Sequence, residues 1–264
     1  MIELDKVYCM DNMELLKQLP DNYIDLIYCD ILYGTGRNFG DYQDLKCDRK
    51  IIEEHYIPRV KEMKRVLKDT GSIYLQMDTR INHWIRCVMD DIFGYNNFRN
   101  EVSWCYESGG NSKNKFSCKH DIILFYSKSN NYFFENQNIK RNIDKFDGED
   151  EKGKFIWYNK RTNKKTYEYK LCSDYFIDIP IVNPMDKTRN GYMTQKPKAL
   201  IERLIKASSN ENDIVADFYM GSGTSMAVAK ELNRKFIGCD ISQKAVDITN
   251  QRLAQQEQKE KLFR

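Results

Sequence analysis

Apolar residues along this chain recur with two alternating periods. Short runs at Asp25-Leu26-Ile27-Tyr28-Cys29, Ser72-Ile73-Tyr74-Leu75-Gln76-Met77, Val102–Trp104, Ile122–Tyr126, Ile214–Ala216 and Lys235–Cys239 are rich in strand formers. Between them, Ile52, Tyr56, Val60, Met63, Val66 and Leu67 fall at helical spacing over about residues 51–68, with Asp69-Thr70-Gly71 as the stop. Further helices run through Trp84, Ile85, Val88, Met89 and Ile92 to Gly94, and over residues 200–207, 225–232 and 243–253. Strands alternating with helices predict an α/β fold, a Rossmann-like, mostly parallel sheet with helices on both faces. The alternation breaks between about residues 107 and 190. There Gly109-Gly110-Asn111-Ser112 reads as a loop, and residues 128–170 are dense in Lys, Asn and Tyr. The predicted organisation is therefore two halves of one domain, 1–106 and 191–264, with an insertion over 107–190 that still holds a scaffold strand near 120–127.

Composition narrows the class. With 264 residues, 41% hydrophobic and 31% charged, the chain can bury one large core. No apolar run approaches the ~20 residues that span a bilayer, and Met1-Ile2-Glu3-Leu4-Asp5 has no export signal, so a cytoplasmic protein without membrane attachment is expected. The eight cysteines include no Cys-x-x-Cys pair and only three histidines could join them, so no metal site is expected. A net charge of +3 permits a nucleic-acid partner without arguing for one.

Candidate chemistry lies where two apolar runs end. Asp213-Ile214-Val215-Ala216-Asp217 enters Gly221-Ser222-Gly223, and Thr224 opens a helix. Glycines let a backbone approach a ligand, and free N–H groups at a helix start attract anionic groups. The next strand ends in Asp240, where a carboxylate can hold ribose hydroxyls. The competing reading is a tight strand–helix turn and nothing more. A pyrophosphate loop wants a third glycine, and position 226 is Met, which favours a nucleoside without pyrophosphate. In the first half, Asp30-Ile31-Leu32-Tyr33-Gly34 also ends an apolar run. Arg37, Asn38, Lys113, Lys115 and Lys119 are candidates for phosphate contacts, as are Lys160 and Arg161 in a basic stretch interleaved with Tyr158, Tyr167 and Tyr169. Solvated loop charges and a solvated β-hairpin are the plainer alternatives.

Taken in order, Val7-Tyr8-Cys9-Met10-Asp11, the Asp30–Tyr33 segment, Phe98-Arg99-Asn100-Glu101-Val102, Lys119-His120-Asp121, Thr194-Gln195-Lys196-Pro197 and Gly221-Ser222-Gly223-Thr224 resemble the β-group of S-adenosylmethionine-dependent DNA amino-methyltransferases. That group places its catalytic Asp-Pro-Pro-Tyr/Phe motif before its Phe-x-Gly-x-Gly cofactor motif. The resemblance implies S-adenosylmethionine as cofactor and double-stranded DNA as partner, with a restriction–modification setting, a cognate restriction endonuclease and a homodimer among family habits. It also implies roles. The Asp30 carboxylate and the Ile31 carbonyl would accept the two N–H bonds of the target amine, and Tyr33 would stack on the flipped base. Asp11, Asp217, Tyr219, Gly221, Gly223, Thr224, Asp240, Thr194 and Lys196 would surround the cofactor. An Asp at the first motif position goes with adenine N6, so adenine is the expected base, with cytosine N4 as the alternative.

The chain departs from the family at three prolines. Ile31 and Leu32 stand for Pro-Pro, and Asp217-Phe218-Tyr219 for Asp-Pro-Phe. Each replacement frees φ and adds an N–H that needs a partner. The expectation is a less preorganised and slower site, one that restored prolines would speed, or a relative that binds DNA without the chemistry.

Overall fold

The computed structural model describes residues 2–40, 42–107, 110–140, 148–159, 164–182 and 195–262. Two compact units result, one from residues 1–134 with 174–264, the other from residues 135–173.

The larger unit begins with β1 (Lys6–Cys9), α1 (Asn12–Gln18), β2 (Ile24–Asp30), α2 (Arg49–Val66), β3 (Leu67–Met77), α3 (Asn82–Phe93), β4 (Phe98–Cys105) and β5 (His120–Ser127). The smaller unit holds β6 (Asn138–Lys140), β7 (Gly148–Glu149), β8 (Phe155–Asn159), β9 (Lys164–Tyr167) and β10 (Tyr169–Leu171). The larger unit resumes with β11 (Tyr175–Phe176), α4 (Lys198–Ser208), β12 (Ile214–Asp217), α5 (Thr224–Glu231), β13 (Lys235–Asp240) and α6 (Gln243–Leu262). Its sheet has the order β1-β13-β12-β2-β3-β5-β4-β11. β1 through β3 in that order pair in parallel, whereas β5 runs antiparallel to both β3 and β4.

Alternation along β3 shows why both faces carry helices. Ile73, Leu75 and Met77 join Ile52, Tyr56, Val60 and Met63 of α2 and Ile85, Val88 and Met89 of α3 in one core cluster. Tyr74, pointing the other way, reaches Ser208 of α4 through its hydroxyl at 2.7 Å. Nearly every side chain of β2, β3, β5, β12 and β13 is buried, as strands covered on both faces require.

Two boundaries differ from the sequence pattern. Helix α2 stops at Val66, and Leu67 through Gly71 begin β3 rather than ending the helix. β1 and α1 precede the first predicted strand; their short apolar runs gave too little periodicity to be read. Among the described residues the smaller unit is two antiparallel pieces, β10 with β6 and β7-β8-β9; of the aromatic-basic stretch, Tyr158 lies in β8, Tyr167 in β9 and Tyr169 in β10.

β12 and β2 sit side by side although they come from opposite ends of the chain. From β2 the sheet continues to β3, and from β12 to β13, in opposite directions. A crevice therefore opens at their carboxyl ends, where open α/β sheets take ligands.

Candidate active site

The crevice is lined by Met10, Asp11, Asn12, Asp30 to Tyr33, His55, Arg59, Lys196, Asp217 to Ser222, Thr224 and Asp240, with Phe39 and Tyr42 at its loop side. Thus Asp30, Ile31, Tyr33, Asp11, Asp217, Tyr219, Gly221, Thr224, Asp240 and Lys196 come together in one cleft. Thr194, Lys160 and Arg161 lie outside the described residues.

On the β13 side, the Asp240 carboxylate ends the strand and accepts from the backbone N–H of Gly221 at 3.0 Å and of Ser242 at 2.9 Å. Asp217 is buried beneath the loop. Its oxygens accept from the Tyr219 N–H at 3.0 Å and from the Ser225 hydroxyl. Burial pushes this carboxyl up to about 7, against the pull of those two donors. Gly223 is required by packing. Its φ is +67°, and a Cβ there would lie 2.3 Å from the Thr249 methyl of α6. The Thr224 hydroxyl accepts from Arg252 of α6 at 2.9 Å.

Asp11 caps α1 through the Met13 N–H and pairs with Arg59 at 3.0 Å. Arg59 also holds Asn12 at 2.7 Å, and four residues earlier His55 meets the Tyr219 hydroxyl at 3.1 Å. Desolvation lowers the His55 imidazole to about 4, so it is neutral near pH 7. His55 and Arg59 are functional candidates that the sequence reading missed. Their i, i+4 spacing on the apolar-patterned helix α2 was the available signal.

On the β2 side, Asp30 accepts from the Tyr33 hydroxyl at 2.8 Å and from the Lys196 ammonium at 2.5 Å. Desolvation raises the Asp30 carboxyl, and Lys196 opposes that rise. The loop beyond turns at Gly34, φ +68°, where a Cβ would strike Ile81 at 2.7 Å. It is braced by buried Asp44, which accepts from the N–H groups of Gly34, Thr35 and Leu45. This loop exposes Arg37 and Asn38, and Asn38 accepts from the Gly40 N–H. Lys113 and Lys115 are exposed in the β4–β5 loop, and Lys119 near its end reaches the Gly110 carbonyl at 3.3 Å.

The groups that replace proline have found partners. The Ile31 N–H donates to the Gln76 carbonyl at 3.0 Å, and its side chain is buried in the core. The Leu32 carbonyl accepts from the Tyr56 hydroxyl at 3.2 Å. The Phe218 N–H donates to Cys29 Sγ at 3.4 Å, its carbonyl accepts from Asn12 Nδ2 at 3.1 Å, and its ring is buried. Two of the three extra donors, the N–H groups of Ile31 and Phe218, are therefore paired.

The donor set fits an adenosyl sulfonium ligand. Asp11, Asp30, Asp217 and Asp240 line the cleft, where Arg59 pairs with Asp11 and Lys196 with Asp30. An acidic lining suits a cationic sulfonium, Asp240 has the acceptor chemistry for ribose hydroxyls, and Lys196 and the start of α5 suit a carboxylate.

Comparison with known proteins agrees. The DNA methylase family of N6/N4 type matches residues 24–251. The type II methyltransferase M1.MboII of Moraxella bovis is 32% identical over 95% of this chain and 96% of its own length. M.HpaI of Haemophilus parainfluenzae is 31% identical over 94% and 74%. The DNA adenine methyltransferase YhdJ of Escherichia coli is 31% identical over 92% and 80%. Among solved structures, the cytosine-N4-specific PvuII DNA methyltransferase shares the fold with a TM-score of 0.68 at 15% identity, covering 93% of this chain and 85% of its own. The chain belongs to the N6/N4 DNA methylase family, and is a DNA methyltransferase whose methyl donor is S-adenosylmethionine.

Proposed function

We propose that this enzyme methylates N6 of adenine in a specific double-stranded DNA sequence. One observation carries the reading. The Asp30 carboxylate, at the end of β2, already holds an amine nitrogen, that of Lys196, at hydrogen-bond distance inside the cleft. An exocyclic amino group offers the same kind of N–H donor, without the charge.

The exocyclic nitrogen is a poor nucleophile because its lone pair is delocalised into the ring. Asp30 and the Ile31 carbonyl, which no donor among the described residues takes up, accept its two N–H bonds and favour a pyramidal nitrogen with the lone pair localised on it. Tyr33 offers a face to the extruded base, and base–aromatic stacking of roughly 1–3 kcal/mol offsets part of the unstacking cost. Bound S-adenosylmethionine supplies an electrophilic methyl on a cationic sulfur. Asp240 would hold its ribose, Asp11 its adenine end, Tyr219 its methionine part, and Lys196 its carboxylate. Gly221, Gly223, Thr224 and Asp217 shape the loop. Arg37, Asn38, Lys113, Lys115 and Lys119 contact DNA phosphates, and the unit of residues 135–173 reads the sequence. Lys160 and Arg161 belong to the same proposal. The family relatives named type II methyltransferases support a cytoplasmic restriction–modification role with a cognate restriction endonuclease, and a homodimer is part of that reading. Among the described residues no helix is long and apolar enough to cross a membrane.

The test is incubation with unmethylated genomic DNA and S-adenosylmethionine, then mass spectrometry of the nucleosides. N6-methyladenine is expected. N4-methylcytosine, or no methylated nucleoside despite bound cofactor, would overturn the reading.

A further inference from the structure

The Tyr33 hydroxyl oxygen lies between two carboxyl groups, 2.8 Å from Asp30 Oδ1 and 2.7 Å from Asp121 Oδ2. A phenol carries one proton, so it can donate in only one of these contacts. The other contact is a hydrogen bond only if a carboxyl supplies the proton. Asp121 is buried near the start of β5. Its remaining contacts are both donors: Gln76 Nε2 at 2.9 Å and the Tyr106 hydroxyl at 2.9 Å. The Gln76 amide is in turn oriented by the Tyr28 hydroxyl, which donates to Oε1 at 2.8 Å. Burial of so many hydrogen-bonding groups is costly unless each is satisfied, and here every one named has a partner.

We propose that Asp30, Tyr33 and Asp121 form one proton-sharing unit, in which Asp121 is a positioning residue that acts through the Tyr33 hydroxyl to set the orientation and protonation of Asp30. The inference rests on the adenine-N6 reading for its consequence. As N6 bonds to the methyl carbon, the carbon–sulfur bond breaks and its electron pair stays on sulfur, leaving a neutral thioether. Asp30 first hands its shared carboxyl proton across the Tyr33 oxygen to Asp121, and the N6 proton then passes to the freed Asp30 carboxylate. Atoms and charge balance, with no outside base. A phenylalanine at position 33 would stack as well on a base but could not bridge the carboxyls, so the hydroxyl has a use that stacking does not explain.

Among the described residues, the other titratable groups facing Asp30 and Asp121 are Tyr28 and Cys29 of β2, Asp217 at the end of β12, Tyr106 and Lys196. Burial raises the Asp30 carboxyl most and Lys196 lowers it; beside these larger effects the Asp121 charge raises it and the Tyr33 hydrogen bond lowers it. The two variants D121N and Y33F should therefore move Asp30 in opposite directions.

The experiment is a carboxyl-carbon NMR titration of the free protein, labelled at aspartate, for wild type, D121N and Y33F. The expected result is Asp30 titrating at lower pH in D121N and at higher pH in Y33F, with cofactor affinity unchanged. An Asp30 titration that D121N leaves in place, or that both variants move the same way, overturns the unit. Single-turnover methyl transfer should fall by roughly 10–100-fold in D121N, as for a misplaced reacting group; an unchanged rate also counts against it. Wild-type protein that transfers no methyl group would speak against the proposed function, while the titration would still decide the proton-sharing unit.

Discussion

The ends of β2 and β12 are neighbours in the sheet and solve the same problem differently. Each carries an aspartate and then a residue that replaces a family proline. At β2 the freed Ile31 N–H is taken by a carbonyl oxygen, that of Gln76. At β12 the freed Phe218 N–H has only the Cys29 sulfur, a weaker acceptor. The carboxyls contrast too. Asp30 faces a cation, Lys196, and remains in the cleft, whereas Asp217 is buried under its loop with two neutral donors. The β2 end keeps its carboxylate at the surface of the cleft, and the β12 end uses its carboxylate to fix a loop.

The sharpest way to break this comparison is to remove one carboxylate from each side. D30A should lower the saturated methyl-transfer rate by on the order of 100-fold or more while leaving cofactor affinity nearly intact. D240A, on the strand beyond β12, should do the reverse and raise the cofactor Kd by roughly 10–100-fold, the worth of one or two charge-assisted hydrogen bonds. Single-turnover kinetics and calorimetric titration with S-adenosylmethionine separate the two. Equal effects of both variants on both quantities would erase the division of labour.

Restoring the prolines is the next test, and the packing changes the expectation drawn from sequence. Ile31→Pro recovers about 0.4–1 kcal/mol of unfolded-state entropy. It also loses a hydrogen bond of about 0.5–1.5 kcal/mol and part of a buried side chain. Phe218→Pro loses a fully buried ring, about 3–5 kcal/mol by analogy with Phe→Ala. Both variants should therefore unfold at lower temperature than wild type, Phe218→Pro more so, and Ile31→Pro should not be faster. A stabilised and faster Ile31→Pro would mean that the Gln76 contact contributes little.

These outcomes also mark what was legible in the sequence. Strands β2, β3, β12 and β13 are buried on both faces, so their apolar runs were continuous and easily read. Asp30 and Asp240 end such runs, and the ends of strands are where such a sheet takes ligands. The partners of Ile31 and Phe218 were illegible because they come from residues 45 and 189 positions away. Asp121 stood in a recognised segment, yet its link to Tyr33 spans 88 positions and depends on β5 pairing antiparallel with β3. His55 and Arg59 were hidden for another reason: the face of α2 that carries them reads first as packing.

The smallest expected effect concerns pH. The buried Asp217 carboxyl is raised to about 7 in the folded protein, whereas an exposed aspartate titrates near 4. Between these values the unfolded chain has lost this proton and the folded chain retains it. The folded state then binds more protons, so this group's contribution to stability falls as pH rises from about 4 to about 7 and is level above. Asp217→Asn keeps the size and the acceptor for the Tyr219 N–H but cannot ionise. The melting temperature of D217N minus that of wild type should therefore climb across that window and flatten beyond it, because every other titrating group is common to both proteins. The same comparison made with D30N should give a shallower climb, since Lys196 opposes the effect of burial at Asp30 and leaves the folded protein less reluctant to ionise it. Equal slopes for the two variants would mean that the cation at the end of β2 does nothing that the hydroxyl and amide at the end of β12 do not.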